Sequence, residues 1–361
     1  MPHTQEHSYR AGMPTSTAAG IAATHPTSRR GPSTLAEVAQ RAGVSLSTAS
    51  KALNGRDGVS PATRERVRTA AQALGFSPST VARSLATGRT NAVGLITHDL
   101  VGRFSIPLLM GVENAFGLNE VTVLLADARG DAIRERYHLS AMLERRVDGL
   151  VVVGARPDPR PSLGRDLPMP VVYAYAPSED PTDCSIIADN VSAGRMAAEH
   201  LITQGRSRIG IIQGDISYGA STERVTGALA VLEAAGLEAA TGTPLYGEWS
   251  EAWGRSATRM LLTRDSSVDA IICGNDQIAR GALDALRDLG VRVPEEVAVI
   301  GHDNWYPLVE GCRPSLTTID MNLETIGQLA ARRLREAVDG HPRHGSELVQ
   351  GRLVVAGSTI A

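Results

Sequence analysis

Lysine is all but absent from this 361-residue chain: Lys51 stands alone, and the other non-histidine cations are arginines. Cysteine is scarce too. Cys184, Cys273 and Cys312 are odd in number and widely spaced, which excludes a paired disulfide framework and matches no zinc-ligand spacing, so no metal is expected. No apolar run approaches the ~18 residues needed to span a bilayer, and the opening stretch lacks the basic start and apolar core of a secretory signal. A cytoplasmic chain with no membrane partner is expected. Also missing are a Gly-x-Gly-x-x-Gly after a strand, a Gly-x-x-x-x-Gly-Lys loop and a nucleophile elbow. An enzyme on an α/β module, such as a dehydrogenase or kinase, thus finds no support, and neither catalytic residues nor a cofactor is expected.

What is present is ordinary globular material, 42% hydrophobic and 21% charged, in a chain long enough for two or three compact units of roughly 100–200 residues each. Residues 1–32 are rich in Ala, Thr, Ser, Gly and His without periodicity, and read as a disordered tail. The net charge of −3 conceals an asymmetry. Residues 34–90 hold eight Arg or Lys against three Asp or Glu, whereas the rest of the chain from residue 91 holds 25 against 35. A small basic module is joined to a larger acidic one. Basic modules attract polyanions by neutralising phosphates and releasing counterions, which makes nucleic acid the leading partner for the first.

In the basic module Thr34 can cap a helix that starts at Leu35, with Leu35, Val38, Ala39 and Ala42 at helical spacing and Gly43 ending it. A second short helix runs from Leu46 or Ser47 to Leu53. A turn that brief crosses the two helices steeply, as in the helix-turn-helix that offers its second helix to the major groove. Ser60 and Pro61 then start a third helix, whose Val67, Ala70, Ala71 and Leu74 pack against Leu35, Val38 and Val44. Leu46, Ser47, Ser50 and Lys51 cannot all point inward. Residues 79–86 are long enough for about two helical turns, marginal unless something packs on them. They read either as a plain linker helix or as a helix ordered on DNA in a dimer.

From residue 91 short apolar runs alternate with amphipathic stretches: 92–96, 121–125, 149–153, 170–173, 209–212, 270–273 and 297–300. Such runs mark strands of parallel sheets covered on both faces, and their number suggests two doubly wound lobes. Ligands on these sheets bind beyond the carboxyl ends of the strands. The residues found there are Thr97, His98, Asp99, Asp127, Gly154, Tyr175, Gln213, Gly274, Asn275, Asp276, Gly301, His302 and Asp303. Trp249 and Trp305 lie near this rim in sequence, either as flat faces for a ring or as core. Hydrogen-bonding side chains beside aromatic surface suit a neutral polyol better than an ion or a large apolar molecule.

Specific segments go further. They are Leu35-Ala36-Glu37-Val38-Ala39, Ala42-Gly43-Val44-Ser45, Ser47-Thr48, Val59-Ser60, Leu74-Gly75-Phe76 and Val81-Ala82-Arg83-Ser84-Leu85. To these the larger module adds Arg146-Val147-Asp148-Gly149-Leu150, Arg224, Asn275-Asp276-Gln277, Gly301-His302-Asp303-Asn304 and Pro314-Ser315-Leu316-Thr317-Thr318-Ile319. From about Ser33 to Ser358 the sequence resembles the LacI, or LacI/GalR, family of bacterial repressors. The resemblance implies an all-α helix-turn-helix headpiece joined to a two-lobed α/β effector domain of the periplasmic-binding-protein type, built on doubly wound parallel sheets. It further implies that Leu46, Ser47 and Lys51 face base edges, and that Thr34, Ser45, Thr48, Ser50, Asn54, Ser60 and Thr63 position phosphates. Leu85 matches a leucine wedged into a minor-groove step, with Val81 and Ala82 pairing two hinge helices. In the cleft Arg224, Asn275 and Asp303 match a hydroxyl-binding trio and Trp249 a sugar-stacking position, beside candidates His98, Phe104, Tyr175 and Trp305. Two departures stand out: Gly102-Arg103-Phe104-Ser105 replaces a common Asn-Pro-Phe-Phe, and Tyr175 takes the place of a common aspartate.

The expected organisation is a tail (1–32), a headpiece (33–77), a hinge and linker (78–90) and an effector and dimerisation domain (91–361). Within the last, lobe 1 takes about 91–189 plus 322–349 and lobe 2 about 190–318 plus 350–361. No heptad tail follows Val355, and the resemblance then implies a homodimer on a pseudopalindromic operator, released by a sugar-type inducer. A corepressor-dependent regulator answering to a nucleobase or other small metabolite is the alternative, and a transport-type sugar-binding protein is the rival from another class.

Overall fold

The computed structural model describes residues 33–53, 55, 57–76, 88–100, 103–117 and 121–360, which fall into two compact units, one before residue 83 and one after. Asn54, Val81, Ala82 and Leu85 lie outside the described residues. In the first unit α1 (Leu35–Ala42) is opened by a capping box in which Thr34 accepts from Glu37 N while the Glu37 carboxylate returns to the Thr34 N–H. Gly43, in the left-handed region at φ 62°, closes it. Three residues later α2 (Leu46–Leu53) begins, with Ser45 Oγ accepting from Thr48 N at 3.1 Å. Then comes α3 (Pro61–Ala73), capped by Ser60 with Pro61 in its first turn. Val38, Ala39, Ala49, Ala52, Val67 and Ala70 form the small core between the three.

The second unit contains two six-stranded sheets. The first has strand order β11-β5-β4-β3-β1-β2, built from β1 (Ala92–Thr97), β2 (Thr122–Asp127), β3 (Gly149–Val153), β4 (Val171–Ala174), β5 (Cys184–Ala188) and β11 (Gly345–Val349). The second has order β12-β10-β9-β8-β6-β7, from β6 (Ile209–Gln213), β7 (Leu245–Tyr246), β8 (Ala270–Cys273), β9 (Ala298–Asp303), β10 (Thr317–Asp320) and β12 (Arg352–Val354). Every pairing is parallel except β10 with β12. The chain therefore passes between the two lobes three times, after β5, after β10 and between β11 and β12. Helices on both faces explain why β3 and β6 read as unbroken apolar runs.

Three helix pairs brace these sheets in the same way. They are α4 (Ser105–Phe116) with α11 (Leu323–Val338), α6 (Asn190–Thr203) with α7 (Gly219–Ala234), and α8 (Glu251–Arg264) with α9 (Asp276–Asp288). In each pair one glycine per helix sits against the partner's backbone: Gly111 and Gly327, Gly194 and Gly227, Gly254 and Gly281. A Cβ on any of the six would fall on a carbonyl oxygen of the facing helix. The glycines thus set the distance between helix axes, and at Gly194 the facing carbonyl belongs to Arg224.

Gly227→Ala is expected to lower stability by about 1–3 kcal/mol, because the helices must part to admit the methyl group. The exposed neighbour change Arg195→Ala should stay within about 0.5 kcal/mol. Urea unfolding followed by circular dichroism compares the two, and equal midpoints would show that the helix pair can spread at little cost.

Candidate functional site

The outward face of the first unit is carried by α2. Its Ala49 and Ala52 are buried in the small core, which turns Ser47 and Lys51 outward together with Leu46, 54% exposed. Thr34, Ser45 and Ser60 each cap a helix, so their hydroxyls mark three helix N-termini, where free backbone N–H groups favour anions. Thr48 and Thr63 lie within those caps, Thr48 Oγ1 2.8 Å from Ser45 Oγ and Thr63 Oγ1 accepting from Ser60 Oγ at 2.9 Å. Ser50 is half-buried on α2.

In the second unit the carboxyl ends of the strands of both sheets meet around a cavity of about 300 Å³. Phe104, Tyr175, Arg224, Trp249, Asn275, Asp303 and Trp305 all line it. His98 does not. Its Nε2 turns away to lie 2.6 Å from Glu135 Oε2, and Arg160 donates to Glu135 Oε1 at 2.8 Å. Burial opposes ionisation of Glu135, yet the bonds from His98 and Arg160 outweigh it and bring its carboxyl down to about 2. The cluster braces the first lobe behind the cleft, and Asp99, one residue on, reaches the cavity wall.

The aromatic rings are arranged in pairs. Phe104 and Tyr175 stack with centroids 5.0 Å apart and planes inclined by 24°, while Tyr218 and Trp249 meet edge to face at 5.6 Å. The Trp249 indole lies over Gly214, where any Cβ would strike it, and its Nε1 is buried without a hydrogen-bond partner. The Gln213 side-chain oxygen is buried and unpartnered as well. Tyr175 and Asp303 hold their places at φ 72° and 107°, strained for residues with a side chain.

The polar wall is set by the turn that starts α9. Asn275 Oδ1 accepts from Ile278 N and so caps the helix. Arg224, on α7, is buried and donates to neutral acceptors, Asn190 Oδ1 at 3.0 Å and the Gly274 carbonyl at 2.6 Å. Asp276 accepts from Trp305 N at 2.8 Å and from Thr318 Oγ1 at 2.6 Å. Burial, and then the charge of nearby Asp303, push Asp276 up to about 8. Burial likewise raises Asp303, with Arg103 and Arg224 opposing. His302, buried beside both arginines, is kept neutral, its value driven well below the usual range.

Several lining residues had not been singled out as ligand contacts from the sequence: Arg103, Arg156, Tyr218 and Gln277. Arg103 and Gln277 stand inside motifs quoted above, and Tyr218 precedes a helix in an aromatic-poor chain. Arg156 carries no signal of its own. It stacks on the Tyr218 ring at 4.2 Å and pairs with Asp158, which in turn accepts from Gly219 N across the cleft at 2.7 Å. Among the described residues no cluster of three or more His, Cys, Asp or Glu could hold a metal, and no helix is long and apolar enough to cross a membrane.

A three-helix unit with a polar recognition face, followed by a two-lobed module with a ring-sized cleft, defines a DNA-binding regulator that answers to a small molecule. The model of bacterial regulatory proteins, lacI family, matches residues 34–79 and that of the periplasmic binding protein-like domain residues 198–359; the chain belongs to the lacI family. The HTH-type transcriptional regulator CelR of Thermobifida fusca is 34% identical over 329 residues, 89% of this chain and 96% of that protein. The HTH-type transcriptional repressor PurR of Serratia proteamaculans (strain 568) is 32% identical over 345 residues, 91% and 98%. Among solved structures, a CelR–cellobiose complex matches with a TM-score of 0.60 at 31% identity, covering 90% of this chain and 99% of that one. The lac repressor dimer bound to operator and the anti-inducer ONPF matches at 0.70 and 26%, covering 91% and 100%. The chain is accordingly a helix-turn-helix transcriptional regulator with an effector-binding domain.

A carboxyl raised by folding contributes stability below its ordinary range and loses it as pH climbs through the raised value. Asp276→Asn, neutral at every pH, should therefore match the wild type near pH 4 and melt above it by pH 8. Thermal melts across that range test this; a variant less stable at pH 8 would show that the two bonds of the ionised carboxylate outweigh its burial.

Proposed function

We propose that the chain is a repressor of carbohydrate-utilisation genes, acting in the cytoplasm at the nucleoid. Its homodimer leaves a pseudopalindromic operator when a neutral sugar of one or two rings enters the cleft, and the sugar is bound without being turned over. The lining of the cleft carries this reading. Five aromatic side chains, Phe104, Tyr175, Tyr218, Trp249 and Trp305, gather there in a chain that is only 4% aromatic, beside the buried hydrogen-bonding groups of Arg224, Asn275 and Asp303. Flat faces suit the C–H surface of a sugar ring, and a guanidinium and a carboxylate make charge-assisted bonds to its hydroxyls. The relative CelR, whose solved complex holds cellobiose, supports the same ligand class.

On the DNA side Leu46, Ser47 and Lys51 read base edges in the major groove. Thr34, Ser45, Thr48, Ser50, Asn54, Ser60 and Thr63 hold phosphates, and Val81, Ala82 and Leu85 belong to a paired hinge at the minor groove. Residues 33–77 then act as headpiece, 78–90 as hinge and linker, and 91–361 as effector and dimerisation domain. Ligand can drive release only through a difference in affinity between the two states of the dimer.

The test is titration of the full chain onto the DNA upstream of its own gene, at fixed salt, with and without a panel of mono- and oligosaccharides that includes cellobiose. Binding abolished by one sugar is the expected result. Binding strengthened by a small molecule would replace the inducer with a corepressor, and binding unmoved by every sugar would send the ligand search to nucleobases and other small metabolites. In the same assay Lys51→Ala should weaken operator binding about tenfold or more. Trp249→Ala should leave DNA affinity in place but raise the sugar needed for release about tenfold.

A further inference from the structure

Arg103 leaves the first lobe just after β1 and reaches across the cleft. Its Nη2 lies 2.7 Å from Asp303 Oδ2, and its Nη1 donates to Gln277 Oε1 at 3.0 Å, both on the second lobe. The guanidinium carbon stands 4.8 Å from the Phe104 ring centroid and 5.3 Å from that of Trp305, so an aromatic from each lobe flanks the cation. The pair is well withdrawn from water, with side-chain exposures of 15% and 5%. A carboxylate, an amide and two ring faces are what a sugar would use here, and a side chain of the protein itself is using them.

We propose that Arg103 is a latch that stands in for the ligand, holding the two lobes together through Asp303 until the ligand takes that carboxylate over. An ion pair that spans a cleft contributes only when the cleft is closed, because opening returns both charges to water and separates them. Arg103, Phe104, Asp303 and Trp305 also line a second cavity, of about 870 Å³, beside the first. Its wall includes the Glu324 carboxylate, whose Oε1 already accepts from Asn114 Nδ2 at 2.7 Å and which the displaced guanidinium would share. Arg103 Nε, buried without a partner in the latched position, would regain one there. The proposal rests on the cleft being the effector site, but its test needs no effector.

The three native cysteines are buried, so spin labels can be placed selectively at Ser140→Cys on α5 (Ala132–Glu144) in the first lobe and Thr263→Cys on α8 in the second. Electron–electron distance measurements are made on the full chain without ligand, the labelled protein diluted into unlabelled protein. The wild-type interlobe distribution should be short and narrow, and Arg103→Ala should shift it to longer distances. Asp303→Asn cuts the same pair from the other side with little change of shape and should do likewise. Sub-denaturing guanidinium chloride should restore the short distance in Arg103→Ala, whose cavity would readmit the free cation, and leave Asp303→Asn unchanged. Both variants keeping the wild-type distribution would overturn the latch, and so would an opening that guanidinium cannot reverse in Arg103→Ala. A chain that answers to no sugar yet opens on Arg103→Ala would sink the sugar reading and leave the latch standing.

Discussion

The second lobe's side of the cleft hangs on one carboxylate that the fold keeps out of water. Asp276 is fully buried at the start of α9 and ties together three separate pieces of chain: its own helix, the backbone of Trp305 and the hydroxyl of Thr318 on β10. Gly301 is a glycine because the Asp276 carboxylate occupies the space a Cβ would need. The turn after β9 is thereby fixed, and with it the left-handed backbone at Asp303 and Asn304 that aims Asp303 into the cavity. Consecutive residues then do different work. Asn275 caps the helix, Asp276 ties the turn and Gln277 meets Arg103, because the passage from extended chain to helix fans three adjacent side chains in three directions.

Placing the site at strand ends follows from how the sheets are packed. Side chains within β3, β6 or β9 are consumed by burial on both faces and have no freedom to meet a ligand. Only at the last strand residue, as at Asp303 of β9, and beyond it do side chains and helix N-termini become available. Two sheets of matching order give two such rims, and three short crossings let them face each other. The crossings are bonded to one another, with Asp189 N donating to the Val349 carbonyl and Asn322 Nδ2 to that of Gln350. Short, mutually tied connections are the geometry of a hinge, in which a few backbone torsions absorb the motion and each lobe moves as a body.

How much of this the sequence disclosed depended on whether the signal was local. The headpiece helices were legible because their ends are written in single residues, Thr34, Gly43, Ser60 and Pro61, whose cap geometry is as expected. Central strands were legible as apolar runs. The strands β5, β7, β10, β11 and β12 were not: β7, β11 and β12 are short or edge strands, Gly345–Val349 alternating half-buried with exposed residues, while β5 and β10 are buried but break their apolar runs with Ser185 and with Thr317 and Thr318. Reading strand ends brought most cavity residues to the right rim. It cannot tell which way each side chain turns, and Thr97, His98 and Asp99 point to three destinations: Ser105, Glu135 and the cavity. Arg103 was marked only as a departure from a family pattern, since its reach to Asp303 exists only once two lobes far apart in sequence have come together.

The charges in the cleft differ in a way that matters for a switch. Arg224 is held by neutral acceptors of its own lobe and keeps them when the lobes separate, whereas Arg156 keeps Asp158 but gives up the Tyr218 ring. The Arg103–Asp303 pair does change, as does the Asp158 bond to Gly219 N. Closure is thus coupled to a few desolvated contacts whose strength falls steeply once water enters, which makes an open and a closed state distinct and disfavours intermediates. A ligand that exchanges its own hydrogen bonds for those contacts acts by the difference between them, not by their sum. Since a shift between two states is limited by that difference, modest differences in a ligand's hydrogen-bonding geometry suffice to separate an effector from a bystander that merely fits.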